Sequence, residues 1–385
     1  MTAGIVVMNS AAVALAADSV ATIPYGLGIK HYRAATKVLG LHNEAPIGVF
    51  WYGSPDYVGM PWEVIINEFG RTVDDRHDYV KDYAGSFFDW LDQQSYSWPS
   101  VSKSEPPAAA LLTRLLRMVE DKIRDIPAGD VTAAVEEVVE RWKKELRASA
   151  RVLETAQVDG CSELWAWFDR SLTGLGTLTD DATDALRNAA RYAWSRLFVG
   201  EPGHSGLVFA GFGDKEILPS MRHFLVGVPV GAHPRRREGK PAAISSSHPA
   251  AIIPFAQTDL VSLFMEGMNP DIKKWFTGIL LELQDVYHIE EAVVDRLKRR
   301  LNDHTNNQGQ PVIDAVRFLP KADLAEFARS LIAFTAFRLR MSLADESVGE
   351  PIDVAVISRG EGLVWVHRSH YFPAELNPHF FRRFR

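Results

Sequence analysis

Thr2, Asp18 and Lys37 are the residues whose types and spacing could carry chemistry. Removal of Met1, the expected fate of a methionine before a residue as small as threonine, would leave Thr2 with a free α-amine. The hydroxyl of such a threonine is a nucleophile, and its α-amine can act as the general base. An unperturbed α-amine has a pKa of about 7.7–8.0, and a nearby lysine ammonium lowers that pKa and keeps the amine neutral. Lys37 is the candidate for this ammonium, and Asp18 would hold it in an ion pair.

A hairpin and a third strand are the elements that must position these side chains. The stretches "TAGIVVM", "NS" and "AAVALAAD" predict a strand, a turn and a second strand. With Asn9-Ser10 as a two-residue turn, Thr2 lies opposite Ala17 and Asp18 lies one step beyond. The spacing therefore predicts that the hairpin delivers a carboxylate beside residue 2, and the lysine opens the next strand, "KVLGL".

The same opening stretch also has some features of an export signal, because it is apolar and ends in the small residues "ALAADS". No lysine or arginine precedes Lys30, however, and Asn-Ser interrupts the apolar run. The chain contains one cysteine, Cys161, so it can form no internal disulfide. These features favour a folded hairpin over a signal peptide and predict a cytoplasmic location.

Composition limits the classes of partner. The chain has 385 residues, of which 46% are hydrophobic and 24% charged, and its net charge is −7. An acidic balance argues against wholesale nucleic-acid binding, and we interpret the basic runs "PRRREGK" (234–240) and "FFRRFR" as a solvated loop and a solvated end. There is no apolar run of about 18 residues, so no membrane partner is expected.

Strand patterns occupy both ends of the chain and helical patterns its middle. Strands are predicted at 205–213 and 223–231, followed by a loop to about 250, and a strand–turn–strand unit "PIDVAVISRGEGLVWVHRSH" closes the chain. Because strands and helices do not alternate regularly, the order predicts an α+β fold and not a doubly wound sheet. Helices with apolar residues at intervals of three and four are predicted at 61–70, throughout 71–202, and at 258–268, 270–302 and 321–344.

Three stretches together resemble a known family. "TAGIVVMNSAAVALAADSVAT" is similar to the start of a mature proteasome β-subunit, "IGVFWYGSPDY" to the next strand and turn, and "DESVGEPIDVAVISRGEG" to the last helix-to-strand passage. By this resemblance the chain is identified as an N-terminal-nucleophile hydrolase of the bacterial proteasome-like threonine peptidase type with a large helical insertion. The resemblance implies a four-layer αββα sandwich formed by residues 1–70 plus 203–385, with 71–202 as an inserted all-helical block.

The resemblance also implies roles for individual residues. Thr2 would be nucleophile and base, Asp18 would orient Lys37, and the Gly53 N–H would stabilise the oxyanion. Further implied roles are assistance at the amine by Asp345, support by Ser19, and pairing of an extended peptide substrate with the strand of Thr22.

The chain departs from the family pattern in three places: at two positions of the site, and in the helical block 71–202, which has no counterpart in ordinary β-subunits. Strict counting places Val348 where the family has a supporting serine, with Ser347 one residue earlier. The family's Gly-Ser-Gly element has no clear copy, so Gln257 or Thr258 would substitute for it. Trp51, on the strand before the oxyanion turn, would crowd the primary pocket and favour small substrate side chains.

The predicted function is an N-terminal threonine peptidase that acts on a peptide or unfolded protein. The resemblance implies a homo-oligomeric ring or barrel and an ATPase partner. No cofactor and no metal are expected, because His367 and His370 have no second cluster of ligands beside them. Two alternatives stay open: an amidase or acylase of the same fold acting on a small amide, and a non-catalytic shell or assembly subunit.

Overall fold

The computed structural model describes residues 3–25, 28–32, 35–41, 45–72, 76–94, 98, 106–124, 126–127, 130–146, 149–341, 348–370, 372 and 376–377, and within 21–25 and 28–32 it describes the backbone alone. Over these residues the fold is α+β, as predicted, with antiparallel sheets and eleven α-helices. No helix among them combines the length and apolar character needed to cross a bilayer.

The strands follow the apolar and β-branched runs of the sequence. In chain order they are β1 Ala3–Asn9, β2 Val13–Asp18, β3 Ala21–Tyr25, β4 Gly28–Tyr32, β5 Val38–Gly40, β6 Ile47–Gly53, β7 Asp56–Tyr57, β8 Met60–Pro61, β9 Ala150–Arg151, β10 Arg196–Leu197, β11 Ser205–Gly211, β12 Ser220–Val230, β13 His233–Glu238, β14 Ala242–Ala243, β15 Ala250–Ala256, β16 Ile352–Ser358 and β17 Gly362–His367.

The helices follow the stretches with apolar residues three and four apart. They are α1 Trp62–Thr72, α2 Val80–Gln94, α3 Ala110–Ile123, α4 Val131–Glu145, α5 Thr155–Asp159, α6 Ser162–Thr173, α7 Asp180–Trp194, α8 Asp259–Glu266, α9 Pro270–Asp285, α10 Glu291–Val316 and α11 Lys321–Arg340.

A five-stranded antiparallel sheet carries the start and the end of the described chain. Its order is β15-β1-β2-β16-β17. Side chains alternate along β1, so Ile5 and Val7 pack under helices while Val6 and Met8 face a second sheet. Helices α8, α10 and α11 contribute to the helical side of this sheet.

The second sheet has six strands, in the order β13-β12-β11-β6-β5 with β14 also paired to β12. Along β6, Val49 and Trp51 pack against α1 and α2, whereas Phe50 faces the five-stranded sheet. The two sheets therefore bury one apolar layer between them, and each has helices on its other face.

The first helix of the segment 71–202 belongs to this core. The ring of Phe87 on α2 lies 5.3 Å from that of Phe209 on β11. Helices α3, α4, α6 and α7 form a separate apolar cluster, which reaches Val228 and Val230 on β12. The segment was predicted to be entirely helical, but it also contains two short strands, β9 and β10, which pair with each other.

The first hairpin has a different register from the predicted one. Gly4 pairs with Ala17, so the two-residue turn is Ser10-Ala11 and not Asn9-Ser10. The reason is the Asn9 side chain, whose oxygen accepts hydrogen bonds from the N–H groups of the two residues that follow Ser10. As a result, Asp18 lies opposite Ala3.

Two further elements differ from the sequence predictions. The helix predicted over 270–302 is two helices, α9 and α10, separated at 286–290. The loop predicted from 231 to about 250 contains β13 and β14, and β15 follows it where no strand was predicted. Pro254 lies within β15, which is tolerated because β15 is the edge strand of its sheet.

The run "PRRREGK" was predicted to be solvated, and at Arg235 this is wrong. The Arg235 side chain is fully buried and forms a two-pronged ion pair with Glu201, with N–O distances of 2.7 and 2.9 Å. Arg235 also donates to the carbonyl of Arg196, which ties β13 to β10. The sequence pattern hides this pair because the residues flanking Arg235 are more exposed.

Replacement of Arg235 by methionine is expected to lower the free energy of unfolding by about 3–5 kcal/mol, because it leaves the Glu201 carboxylate buried without a counter-charge. Glu201→Gln in the same chain removes that charge and should restore part of the loss. The control is Arg237→Met at an exposed position, for which we expect a change within about 0.5 kcal/mol. Denaturant titration measures all three, and equal effects of the two arginine substitutions would contradict the prediction.

Candidate functional site

The centre of the site is the carboxylate of Asp18, at the end of β2. One oxygen accepts a hydrogen bond from the backbone N–H of Ala3 at 2.8 Å, and the other accepts from the N–H of Val20 at 3.1 Å. The side chain is fully buried. Because Ala3 directly follows Thr2 in the sequence, the carboxylate is fixed at the backbone next to the predicted nucleophile.

Lys37 completes the centre, as the sequence analysis expected. Its Nζ lies 2.9 Å from the Asp18 oxygen that binds Ala3, and it also donates to the Val20 carbonyl at 2.6 Å. Only 1% of the Lys37 side chain is exposed. The structure thus brings together two of the predicted site residues, 19 positions apart in the chain.

Burial acts on both charges of this pair. It raises the pKa of the Asp18 carboxyl, although the Lys37 charge and the Ala3 N–H act in the opposite direction. It lowers the pKa of the Lys37 ammonium, although the Asp18 carboxylate partly offsets this. A lysine whose pKa is lowered by burial is closer to exchanging its proton near neutral pH than a solvated one. Such perturbation of a specific pair is typical of functional sites.

A second buried carboxylate, missed in the sequence analysis, lies beside this pair. Asp353 on β16 accepts a hydrogen bond from the Ser19 hydroxyl at 3.2 Å and from the Ser369 N–H at 2.7 Å. It is 4% exposed, and its charge acts on Lys37. The signal was present in the motif "PIDVAVI", where an acidic residue interrupts an otherwise apolar strand.

The turn after β6 carries Gly53. Its φ of +88° lies in the left-handed region, and a Cβ at this position would be 2.4 Å from the His204 carbonyl oxygen. Only glycine fits such a turn without strain. The turn is held by a hydrogen bond of 2.7 Å from the Ser54 N–H to the same carbonyl and by one of 3.1 Å from the Ser205 hydroxyl to the Ser54 carbonyl.

The strand that carries this turn is connected to the lysine. The Trp51 N–H donates to the Lys37 carbonyl at 3.1 Å, and Trp51 lies two residues before Gly53. Trp51 itself is 4% exposed and packs in the core under α1. Its indole donates to the Thr36 carbonyl, so the side chain has little surface left to contact a substrate.

Gln257, predicted to replace part of the Gly-Ser-Gly element, follows a backbone outlier. Ala256 has a φ of +63°, which is uncommon for a residue with a side chain, and it pairs with Ala3 across β15 and β1. Gln257 therefore directly follows the last residue of β15, the strand that pairs with Ala3. A cavity of about 170 Å³ adjoins it and is lined by Gln257, Asp259, Leu260, Thr335, Arg338 and Leu339.

The remaining predicted site residues stand as follows. Thr2, Asp345 and Ser347 lie outside the described residues. Thr22 is on β3 and pairs with His31 of β4. Val348, to which strict counting assigned the serine position, is 3% exposed and part of the apolar core.

Chemically, the site offers a buried cation and anion held against the backbone that follows residue 2. Such a pair can tune the α-amine of that residue if the amine is free. Among the described residues, no group of three or more histidine, cysteine, aspartate or glutamate side chains could hold a metal ion.

The sequence matches no known protein family, and no curated protein is similar to it at a significant level. Solved structures do match. They include Anbu from Hyphomicrobium sp. strain MC1 as a Gly-1 mutant, with 11% identity, a TM-score of 0.31 and coverage of 100% of this chain and 94% of the other. A second structure of Anbu from that strain has 9% identity, a TM-score of 0.29 and coverage of 99% and 94%. Anbu, an ancestral beta-subunit, from Yersinia bercovieri has 11% identity, a TM-score of 0.30 and coverage of 99% and 94%.

These findings correct the identification made from the sequence. The chain was identified as a bacterial proteasome-like threonine peptidase with a large helical insertion, and this is wrong. The three solved structures described above are of Anbu, and each match spans at least 99% of this chain. A structural similarity at these TM-scores does not indicate a shared activity; the geometry of the site is the basis for assigning a function.

Proposed function

We propose that this chain is an N-terminal threonine hydrolase that cleaves amide bonds, with peptides as the preferred substrates and Thr2 as the nucleophile. The observation that carries the proposal is the fully buried Asp18 carboxylate, which binds both the Ala3 N–H and the Lys37 ammonium. A buried ion pair of this kind costs free energy to desolvate. Because the pair lies at the backbone next to Thr2, its charges can act on the α-amine of that residue.

In the proposed reaction, the α-amine of Thr2 accepts the proton of the Thr2 hydroxyl, and the hydroxyl oxygen attacks the substrate carbonyl carbon. The Gly53 N–H stabilises the resulting oxyanion. The carbon–nitrogen bond then breaks, and the protonated α-amine gives its proton to the leaving nitrogen. A water molecule, deprotonated by the same amine, attacks the ester on Thr2; the ester bond to the Thr2 oxygen breaks, the acid is released, and the amine returns its proton to that oxygen.

Lys37 acts on this cycle through its charge. An ammonium near the α-amine lowers the pKa of that amine and keeps it neutral at the pH of the reaction, so that it can take the hydroxyl proton. Asp18 holds the ammonium in place and at the same time fixes the backbone of Ala3. The Asp18–Lys37 pair thus keeps the general base, the α-amine, in its neutral form, and it does not itself contact the bond that breaks.

The fold and assembly form part of the proposal. We infer a four-layer αββα sandwich, supported by the apolar layer shared by the two sheets and by the helices on their outer faces. We also infer a homo-oligomer, because large apolar side chains such as Trp275 on α9 and Phe337 on α11 are more than half exposed, which is typical of interfaces. The single cysteine supports a cytoplasmic location.

The test compares hydrolysis of blocked fluorogenic peptides with hydrolysis of small amides, using protein whose mature N-terminus has been shown by mass spectrometry to be Thr2. We expect turnover of the peptides, with faster hydrolysis above the pKa of the α-amine than below it. Turnover of small amides alone would support the amidase alternative. Absence of turnover for both classes would contradict the proposed function and favour a non-catalytic shell subunit.

Gly53→Ala tests the proposed oxyanion donor. The added methyl group meets the His204 carbonyl oxygen, so the turn has to shift and the N–H moves. We expect kcat to fall about 10²-fold with little change in KM. Gly176→Ala is the matched control, because Gly176 has a similar φ of +92° but nothing within 4 Å of the added Cβ. A fall in kcat of the same size in both variants would contradict the assignment.

A further inference from the structure

Asp353 is a buried carboxylate that the reaction proposed above does not use. It lies on β16, opposite Ala17 of β2, and therefore one step along the sheet from Asp18. Its two oxygens accept one hydrogen bond each, from Ser19 and from Ser369. Burial of a carboxylate that is 4% exposed is costly unless its oxygens are hydrogen-bonded and its charge is compensated.

We propose that Asp353 is a positioning residue of the site, a second buried carboxylate that Ser19 and Ser369 hold beside the Asp18–Lys37 pair so that its negative charge acts on Lys37. This inference rests on the proposed function for its effect on catalysis, but its effect on Lys37 stands independently. Asp18 on β2 and Asp353 on β16 both act on Lys37, and both favour the charged form of the amine.

The contacts of Ser19 explain how Asp353 is held at the right place. Ser19 follows Asp18, its N–H donates to the Pro351 carbonyl, and its carbonyl accepts from the Ala35 N–H, each at 3.0 Å. The Ser19 hydroxyl then reaches Asp353. One residue thus connects the end of β2, the start of β16 and the segment that leads to Lys37.

On the other side, Ser369 fixes the remaining oxygen. Its N–H donates to Asp353 from just beyond the end of β17. With both oxygens bound, the carboxylate cannot turn toward solvent, and its charge stays inside the protein. A purely structural role would need only the two hydrogen bonds, whereas a role in the site needs the negative charge.

Asp353→Asn separates these two roles, because asparagine retains the shape and hydrogen-bonding capacity but removes the charge. The titration of Lys37 is followed by NMR of lysine labelled at Cε and Nζ, with the signal assigned by its absence in Lys37→Met. We expect the midpoint of Lys37 to move to lower pH in Asp353→Asn, since a charge that favours the ammonium is lost.

Two controls accompany this measurement. Glu350→Gln removes a negative charge from an exposed position three residues away and should leave the midpoint unchanged because solvent screens that charge. Ser19→Ala removes the hydrogen bond that holds one Asp353 oxygen but keeps the charge, so the midpoint should move less than in Asp353→Asn. In assays, we expect the alkaline limb of kcat/KM to move to lower pH in Asp353→Asn and to stay in place in Glu350→Gln.

An unchanged Lys37 midpoint in a folded Asp353→Asn variant would overturn the inference. So would a shift of equal size in Glu350→Gln. A shifted midpoint in a protein that hydrolyses no amide would leave the inference intact and contradict only the proposed function, so the two results are distinguishable.

Discussion

Thr2→Ala is expected to lower kcat for peptide hydrolysis by about 10⁴-fold or more, because loss of a nucleophile removes the covalent route while leaving substrate binding in place. The substitution removes the hydroxyl and the methyl group beside it. The α-amine stays, and so do the buried Asp18–Lys37 pair and its hydrogen bond to Ala3. The fold should therefore be unchanged, and KM should change little.

Two further variants complete this experiment. Thr2→Ser keeps a hydroxyl and should keep measurable activity. Thr177→Ala removes a threonine hydroxyl at an exposed position in the segment between α6 and α7 and should leave kcat unchanged. Peptide hydrolysis by Thr2→Ala at the wild-type rate would contradict the assignment of the nucleophile.

Lys37→Met is expected to reduce kcat by about 10³-fold, because the α-amine loses the ammonium that keeps it neutral. Methionine has a similar length, so the cavity stays filled. The substitution also leaves the Asp18 carboxylate buried without its cation, which should lower the free energy of unfolding by about 3–5 kcal/mol. Denaturant titration and steady-state kinetics on the same preparation measure the two effects.

A second substitution separates stability from catalysis. Asp18→Asn combined with Lys37→Met removes both charges and retains an oxygen that can accept the Ala3 N–H, so the free energy of unfolding should recover. The activity should not recover, because the ammonium is still absent. Recovery of both would show that Lys37 has only a structural role.

The instability of Lys37→Met should also depend on pH. Burial raises the pKa of the Asp18 carboxyl, and the Lys37 charge opposes that rise, so loss of Lys37 raises the pKa further. A group whose folded-state pKa is raised contributes stability that is present at low pH and is lost as the pH rises through that pKa. The deficit of the variant should thus be small in acid and largest in alkaline solution.

The sequence was sufficient to predict the ion pair but not its geometry. The alternation of apolar residues and the turn-forming residues predicted β1, β2 and the strand of Lys37. The register depended on Asn9, whose side chain binds the two N–H groups after Ser10 and moves the turn by one residue. A turn of two residues can be placed at either position by spacing alone, so Asp18 was predicted to lie beside residue 2 and instead lies opposite Ala3.

Two buried charges were not predicted, for a common reason. Asp353 and Arg235 are stabilised by partners far away in the sequence: Ser19 is 334 positions from Asp353, and Glu201 is 34 positions from Arg235. Local patterns treat a charged residue as solvated, and only the tertiary fold supplies the hydrogen bonds that permit its burial. The strand β15 was missed because Pro254 and the short apolar run resemble a loop.

The proposed function depends most directly on the chemical state of Thr2. The measurement is mass spectrometry of the N-terminal peptide after the protein has reacted with a β-lactone, an electrophile that acylates a nucleophilic hydroxyl. The account predicts a peptide that begins at Thr2 and carries the acyl group on the Thr2 hydroxyl, with no such adduct in Thr2→Ala. An active protein whose Thr2 amine is blocked by a preceding residue, or whose adduct lies on another residue, would contradict it.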